Sequence, residues 1–199
     1  MYTIIFLYIW FTNALGYYGF SFLSANLNEN IFISMTLLMI VEIPGVLITS
    51  YAGGFSRRYV LMIIMMMGGG FCIICSFVKT SDWKMFFAIL GKMSLAGSFS
   101  LVFVYSAEIF PTILRITGLG VCSFASRIGA MSAPHLVELV CGIFYDFLNK
   151  INYFFKIKNL IGDSIPFLVI GILTLIAGLL SIVMPETKDK NLPDSLENP

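Results

Sequence analysis

Charge is scarce in this sequence. Of its 199 residues only 12% are charged, against 58% hydrophobic, and there is a single histidine. A water-soluble domain of this length needs far more polar surface to cover its core. The net charge of +1 leaves no basic footprint for nucleic acid and no strong attraction to a charged surface. Cysteine is also rare, at Cys72, Cys75, Cys122 and Cys141, each inside an apolar run. Cys72 and Cys75 form one C-x-x-C with no second pair and no nearby histidine. They read as small residues packed between helices rather than as metal ligands. No N-x-S/T sequon occurs to mark an exterior loop. Met1 leads straight into an apolar run without a basic n-region, so no cleaved signal peptide is expected.

Catalytic signatures are missing too. Neither H-E-x-x-H nor G-x-S-x-G occurs, and Ser98 of "LAGSFS" and His135 lie in different apolar runs. An intramembrane serine–histidine pair would lack the framing that such a nucleophile needs. The expectation is a protein that is not an enzyme, with no cofactor and no metal.

What the chain has is hydrophobic length, with a mean hydropathy of +0.92. Six runs approach the roughly 20 residues that cross hydrocarbon: Met1–Ser24, Ile31–Ala52, Tyr59–Val78, Trp83–Ala107, Ile116–Val140 and Ile165–Met184. Each must be helical, because lipid offers no partner to an open backbone. The expected fold is therefore an all-α membrane bundle of six transmembrane helices over residues 1–184, with a polar tail over 185–199. Lysines and arginines divide evenly between the two sides, so the positive-inside rule gives no orientation. Between the fifth and sixth runs, Ile143, Phe147, Ile151, Phe154 and Phe155 recur among lysines and asparagines. That spacing suits either an interfacial amphipathic helix or an irregular loop with aromatic anchors.

Ionisable residues inside such runs cost about 3 kcal/mol each and face a cavity or a partner. Glu42, Lys92 and Arg127 fall near mid-span, with His135 and Glu138 further along the fifth run. The third and sixth runs carry none. This division predicts that the second, fourth and fifth helices line a polar interior while the third and sixth pack outside. The first run contributes Trp10, Asn13, Tyr17 and Tyr18. A tyrosine pair beside a cavity can hold a cation on its ring faces, or serve as ordinary packing. For Glu42, Lys92 and Arg127 the plainer alternative is a static ion-pair network within the bundle.

Several segments resemble one family. "VYSAEIFPTILRITGLGVCSFASRIG" (Val104–Gly129), "YIWFTNALGYYGFS" (Tyr8–Ser21), "VEIPG" (Val41–Gly45), Gly91–Lys92 and "MPETKDKNLPDSLE" (Met184–Glu197) closely resemble, in order and spacing, the organic cation/anion/carnitine transporters. These are a branch of the major facilitator superfamily. The resemblance covers nearly the whole chain and implies the C-terminal six-helix half, spans seven to twelve, with a 3+3 inverted repeat. It implies transport of a small organic cation, anion or carnitine-like zwitterion by alternating access, with this chain as the C-terminal half: a missing N-terminal six-helix half, in the same longer chain or as a partner, would complete the cavity. The alternative is a non-transporting membrane protein that uses the fold for interaction or regulation. The resemblance also implies cytoplasmic termini and a plasma-membrane location. Arg127, Glu42, Lys92, Tyr17, Tyr18 and Asn13 would lie on the substrate path. Arg57, Arg58, Glu108, Arg115 and Glu186 would form a salt-bridged cytoplasmic latch. Arg127 stands where organic-cation members have an aspartate and where anion and carnitine members have an arginine, which suits a carboxylate. Gly53, Ser56 and Asp189 depart from the family pattern and imply a weaker latch, or one held by Arg57 and Arg58 alone.

Overall fold

The computed structural model describes residues 2–25, 31–78, 80–150 and 165–187. Every regular element among them is helical: α1 (Tyr2–Ala25), α2 (Ile31–Ile40), α3 (Glu42–Gly53), α4 (Arg57–Phe77), α5 (Ser81–Ile109), α6 (Arg115–Lys150) and α7 (Ile165–Leu180), closed by a 3-10 turn at Ser181–Val183. Among the described residues, four stretches are long and apolar enough to cross a membrane on their own: Ile31–Gly53, Arg57–Phe77, Asp82–Ile109 and Ile165–Val183. The six-span expectation therefore rests on hydropathy for four helices. For α1 and α6 it rests on length, 24 and 36 residues. Their polar groups dilute the signal, and the bundle pairs several of those of α1 internally. Trp10 Nε1 donates to Ser106 Oγ at 3.0 Å, Thr12 Oγ1 donates to the Tyr8 carbonyl at 2.7 Å, and Ser98 Oγ lies 2.7 Å from Asn13 Oδ1.

Helix ends follow local chemistry. Ser56 caps α4 by accepting from the Tyr59 amide at 3.4 Å. Pro111 stops α5, because the residue before a proline avoids the α region. α6 contains Pro134 and runs unbroken to Lys150. The sequence reading ended this helix near Val140, because lysines and asparagines then interrupt the apolar run. Backbone hydrogen bonding carries it ten residues further, and residues 151–164 of the same connection lie outside the described residues.

The second predicted span is interrupted. α2 ends at Ile40 and α3 begins at Glu42, with Val41 a turn residue between them. Pro44 is the cause: its nitrogen carries no hydrogen, so the Ile40 carbonyl loses its partner one turn ahead. Val41 keeps right-handed helical dihedrals, φ −71 and ψ −18, so the two pieces form one interrupted span.

α1 is the central element. It packs most extensively against α6 and also touches α5 and α7, while α4 packs on α5 and α7. Two apolar clusters form, one around Phe6, Trp10, Met65 and Tyr105, the other around Leu15, Phe20, Leu95 and Phe167. α3 lies close on α5. A Cβ at Gly45 would sit 2.5 Å from the Met93 carbonyl oxygen, and one at Gly97 would overlap the Thr49 hydroxyl. Small residues at this crossing let the two helices approach closely. Gly97→Leu is expected to lower the melting temperature of the detergent-solubilised protein by an amount equivalent to about 1–3 kcal/mol. Gly120→Leu, where a Cβ meets nothing within 4 Å, should leave the same melt unchanged.

Candidate functional site

Lys92 is sealed inside the bundle, with 3% of its side chain exposed. Its position on α5 aims the ammonium between α1 and the first residue of α3. There it meets Glu42 Oε1 at 3.1 Å, donates to Ser21 Oγ at 2.6 Å and lies 3.4 Å from the Tyr17 carbonyl. Its Nζ also stands 3.1 Å from the centre of the Tyr17 ring. Three N–H bonds thus meet three acceptors, which is what a buried ammonium requires.

Glu42 is the more open partner, at 27% exposure. Tyr17 donates its hydroxyl to Glu42 Oε1 at 2.7 Å, so one carboxylate oxygen takes both the ammonium and the phenol. The glutamate owes its place to the interruption at Val41, which puts a helix start beneath it.

An aromatic array extends from this cluster along α1 and α5. Tyr17 meets Tyr18 at 5.1 Å and Phe99 at 5.6 Å, and Phe99 meets Phe103 at 5.6 Å. Trp10 closes the row edge-on to Phe103 at 4.5 Å. Tyr18 and Phe103 are exposed, while Trp10 is buried. Asn13 is also buried, and its Nδ2 has no partner among the described residues.

The predicted path residues do not all converge. Tyr17, Glu42 and Lys92 form one unit, Tyr18 meets its tyrosine edge-on, and Asn13 binds Ser98 separately. Arg127 is exposed on α6, on one stripe with His135 and Glu138. Among the described residues no hydrogen bond or ion pair links it to Glu42 or Lys92. The alternative of a three-membered ion network is thereby reduced to a pair. Ser21 completes the lysine's shell and was not singled out from the sequence, where it reads as a helix-end serine.

The second charged cluster sits at the other end of α5. Arg57 grips Glu108 side-on, Nε to both carboxylate oxygens at 3.1 and 3.3 Å and Nη2 to Oε1 at 3.0 Å. Thr187 donates to Glu108 Oε2 at 2.7 Å. Glu186 lies at the start of α4, accepting from the Arg57 amide at 3.0 Å and from the Ser56 hydroxyl. A carboxylate there also meets the positive end of the helix dipole. Ser56, which the sequence marked as a weakening departure, therefore supplies a contact of its own. Arg58 lies over the Tyr59 ring at 5.2 Å, and Nε and Nη2 of Arg115 are buried without a hydrogen-bond partner among the described residues. Both were expected to pair with Glu186. Glu186 is held at the helix start by the Arg57 amide and the Ser56 hydroxyl.

No family model matches the chain. It is 31% identical to the organic cation transporter protein of Drosophila melanogaster, over 98% of its own length and 33% of that protein. It is 31% identical to solute carrier family 22 member 13 of Homo sapiens, over 98% and 33%, and 30% identical to organic cation/carnitine transporter 2 of Homo sapiens, over 99% and 32%. Its homologues are organic cation/carnitine transporters of solute carrier family 22. The chain spans about a third of the length of these curated relatives. Its fold matches a bacterial homologue of the human lysosomal transporter Spinster, crystallised inward-facing and occupied, with a TM-score of 0.64 at 13% identity over 96% of this chain and 44% of that one. The fold is that of the major facilitator superfamily, and the chain is a multi-pass membrane protein.

Removing one member of the sealed pair leaves the other charge stranded, at a cost of about 3–5 kcal/mol. Glu42→Gln or Lys92→Met alone should therefore melt well below the parent protein in detergent. The double substitution should recover most of that loss. A double variant as unstable as the sum of the singles would show that the two side chains do not act as a pair.

Proposed function

We propose that this chain forms one six-helix half of a transporter that moves small organic ions by alternating access. One observation carries the reading: a lysine–glutamate pair, joined by a tyrosine hydroxyl, at the interrupted middle of an apolar span. Interrupted helices with charged groups at mid-membrane are the usual ground plan of a substrate site. Residues 1–184 are the bundle equivalent to spans seven to twelve, and residues 185–199 its cytoplasmic tail. A second six-helix bundle, from the same longer chain or from a partner, encloses the cavity. The plasma membrane is the site of action.

In this reading the remaining oxygen of Glu42 and the faces of Tyr17 and Tyr18 receive a quaternary ammonium. Arg127, on the exposed stripe of α6, receives a carboxylate through paired hydrogen bonds. Asn13 and Lys92 line the path between them. At the cytoplasmic end, Arg57 with Glu108, and Glu186 with the start of α4, hold one face of the bundle closed, with Arg58 and Arg115 as the remaining cations of the latch.

The test is uptake into proteoliposomes by the protein with both bundles, using radiolabelled tetraethylammonium and carnitine. Saturable uptake of either supports transport. Arg127→Gln should depress carnitine uptake by about tenfold or more while leaving tetraethylammonium uptake and surface expression near the parent level. Absence of saturable uptake for any organic ion would favour the alternative of an interaction or regulatory protein. Equal loss for both substrates would make Arg127 structural.

A further inference from the structure

We infer that α2 is a gate hinged at Val41, with its pivot held by the Lys92–Glu42 pair. Four features on the two sides of the hinge carry this.

The first is the missing bond. Pro44 cannot donate to the Ile40 carbonyl, so the helix is held across the break by two flanking contacts, Val41 N to Leu37 O at 3.2 Å and Gly45 N to Val41 O at 3.3 Å. The second lies beyond the break. α3 is fastened to α5 by close approach at Gly45, against the Met93 carbonyl, and at Gly97, against the Thr49 hydroxyl and the Gly45 carbonyl. The third lies before it. α2 buries only Ser34 and Leu38, and the Ser34 hydroxyl has no partner among the described residues. Phe32, near its N-terminal end, is 84% exposed. A stiff half-helix with few buried contacts, joined through a weakened turn to a firmly seated one, is the arrangement that swings.

The fourth feature is the charge. Glu42 is the first residue of α3, next to the hinge. Its bonds to Lys92 on α5 and Tyr17 on α1 tie the pivot to both neighbours. A group that competes for the carboxylate loosens this tie and frees the first turn of α3. The state of the pair is thereby transmitted to α2 without any contact to α2 itself.

The device concerns motion of the chain and is independent of the substrate in the transport reading. Its test is a distance measurement by double electron–electron resonance in nanodiscs, with the native cysteines replaced by alanine. One spin-label pair, Phe32→Cys with Trp83→Cys, reports on the N-terminal end of α2 relative to α5. A reference pair, Leu47→Cys with Phe103→Cys, reports on α3 relative to α5. The 32–83 distribution is expected to be broader than the reference. Pro44→Ala, which restores a donor for Ile40, should narrow it toward the reference width. Glu42→Gln should shift it to longer distances or broaden it further, while the reference pair stays fixed. Equal widths for the two pairs overturn the proposal, as does a 32–83 distribution indifferent to both substitutions. A rigid α2 in a protein that still takes up organic ions would sink the hinge and leave the transport reading standing. A swinging α2 without uptake would do the reverse.

Discussion

A lysine ammonium sealed in an apolar bundle has to find its counter-charge and its acceptors where it lies, because neither water nor lipid supplies them. That constraint on Lys92 organises the middle of this protein. It calls for a carboxylate within about 3 Å, two further oxygen acceptors and helices close enough to present them. α3 brings Glu42 and α1 brings Ser21, the Tyr17 carbonyl and the Tyr17 ring. The glycine and threonine crossing between α3 and α5 sets the spacing at which this becomes possible. The proline that interrupts the second span then leaves the glutamate beside a helix break rather than inside a continuous turn.

The pair at the other end of α5 uses the same chemistry in different surroundings. Arg57 and Glu108 are each about a quarter exposed, so water shares the work of solvating them and screens their attraction. Their geometry is better, with a side-on grip and Thr187 on the free edge of the carboxylate. The chain segment after α7 is drawn into the same cluster, Pro185 through its carbonyl to Tyr105 and Glu186 at the start of α4. The interior pair therefore fixes three helices at mid-bundle, while the end pair ties the exit of the last helix to two earlier ones. A membrane protein with so few charges spends nearly all of its well-placed ones on these two junctions.

Much of this was legible in the sequence, and the limits are physical. Hydropathy gave the membrane class and the approximate helices, since 18 or more apolar residues admit few alternatives. Glu42 and Lys92 stood out because a charge in an apolar run demands a reason. The break at Val41 was missed, although Pro44 lies three residues on. A proline near the middle of a span does not by itself announce a break, and only the local hydrogen-bond count shows that it parts the helix here. Ser21 was missed because a serine near a helix end has no pattern of its own until a lysine from another helix reaches it. Arg127 was grouped with the interior charges by its depth in the chain. Depth along a helix does not fix rotation about its axis, and α6 leaves that residue exposed and apart from Glu42 and Lys92, on the stripe that the transport reading assigns to the substrate. The reach of α6 to Lys150 was hidden for a related reason: polar residues in an interfacial pattern suit a helix that leaves the membrane as well as one that lies upon it.

The sealed pair is hard to explain as a stabilising device. A buried ion pair roughly breaks even against apolar residues of the same volume, and often does worse. Leucine and methionine in these two positions would hold α3 to α5 about as well, given the glycine crossing already there. What apolar residues do not offer is an attachment that another charged group can release. A contact made of dispersion alone has no competitor among small ions, whereas the Glu42 carboxylate has one in any cation that reaches its more open side. Placed beside a broken helix, such a contact acts as a catch whose release depends on what enters the site. Stability favours apolar packing there; a bundle that must adopt two arrangements favours the charge.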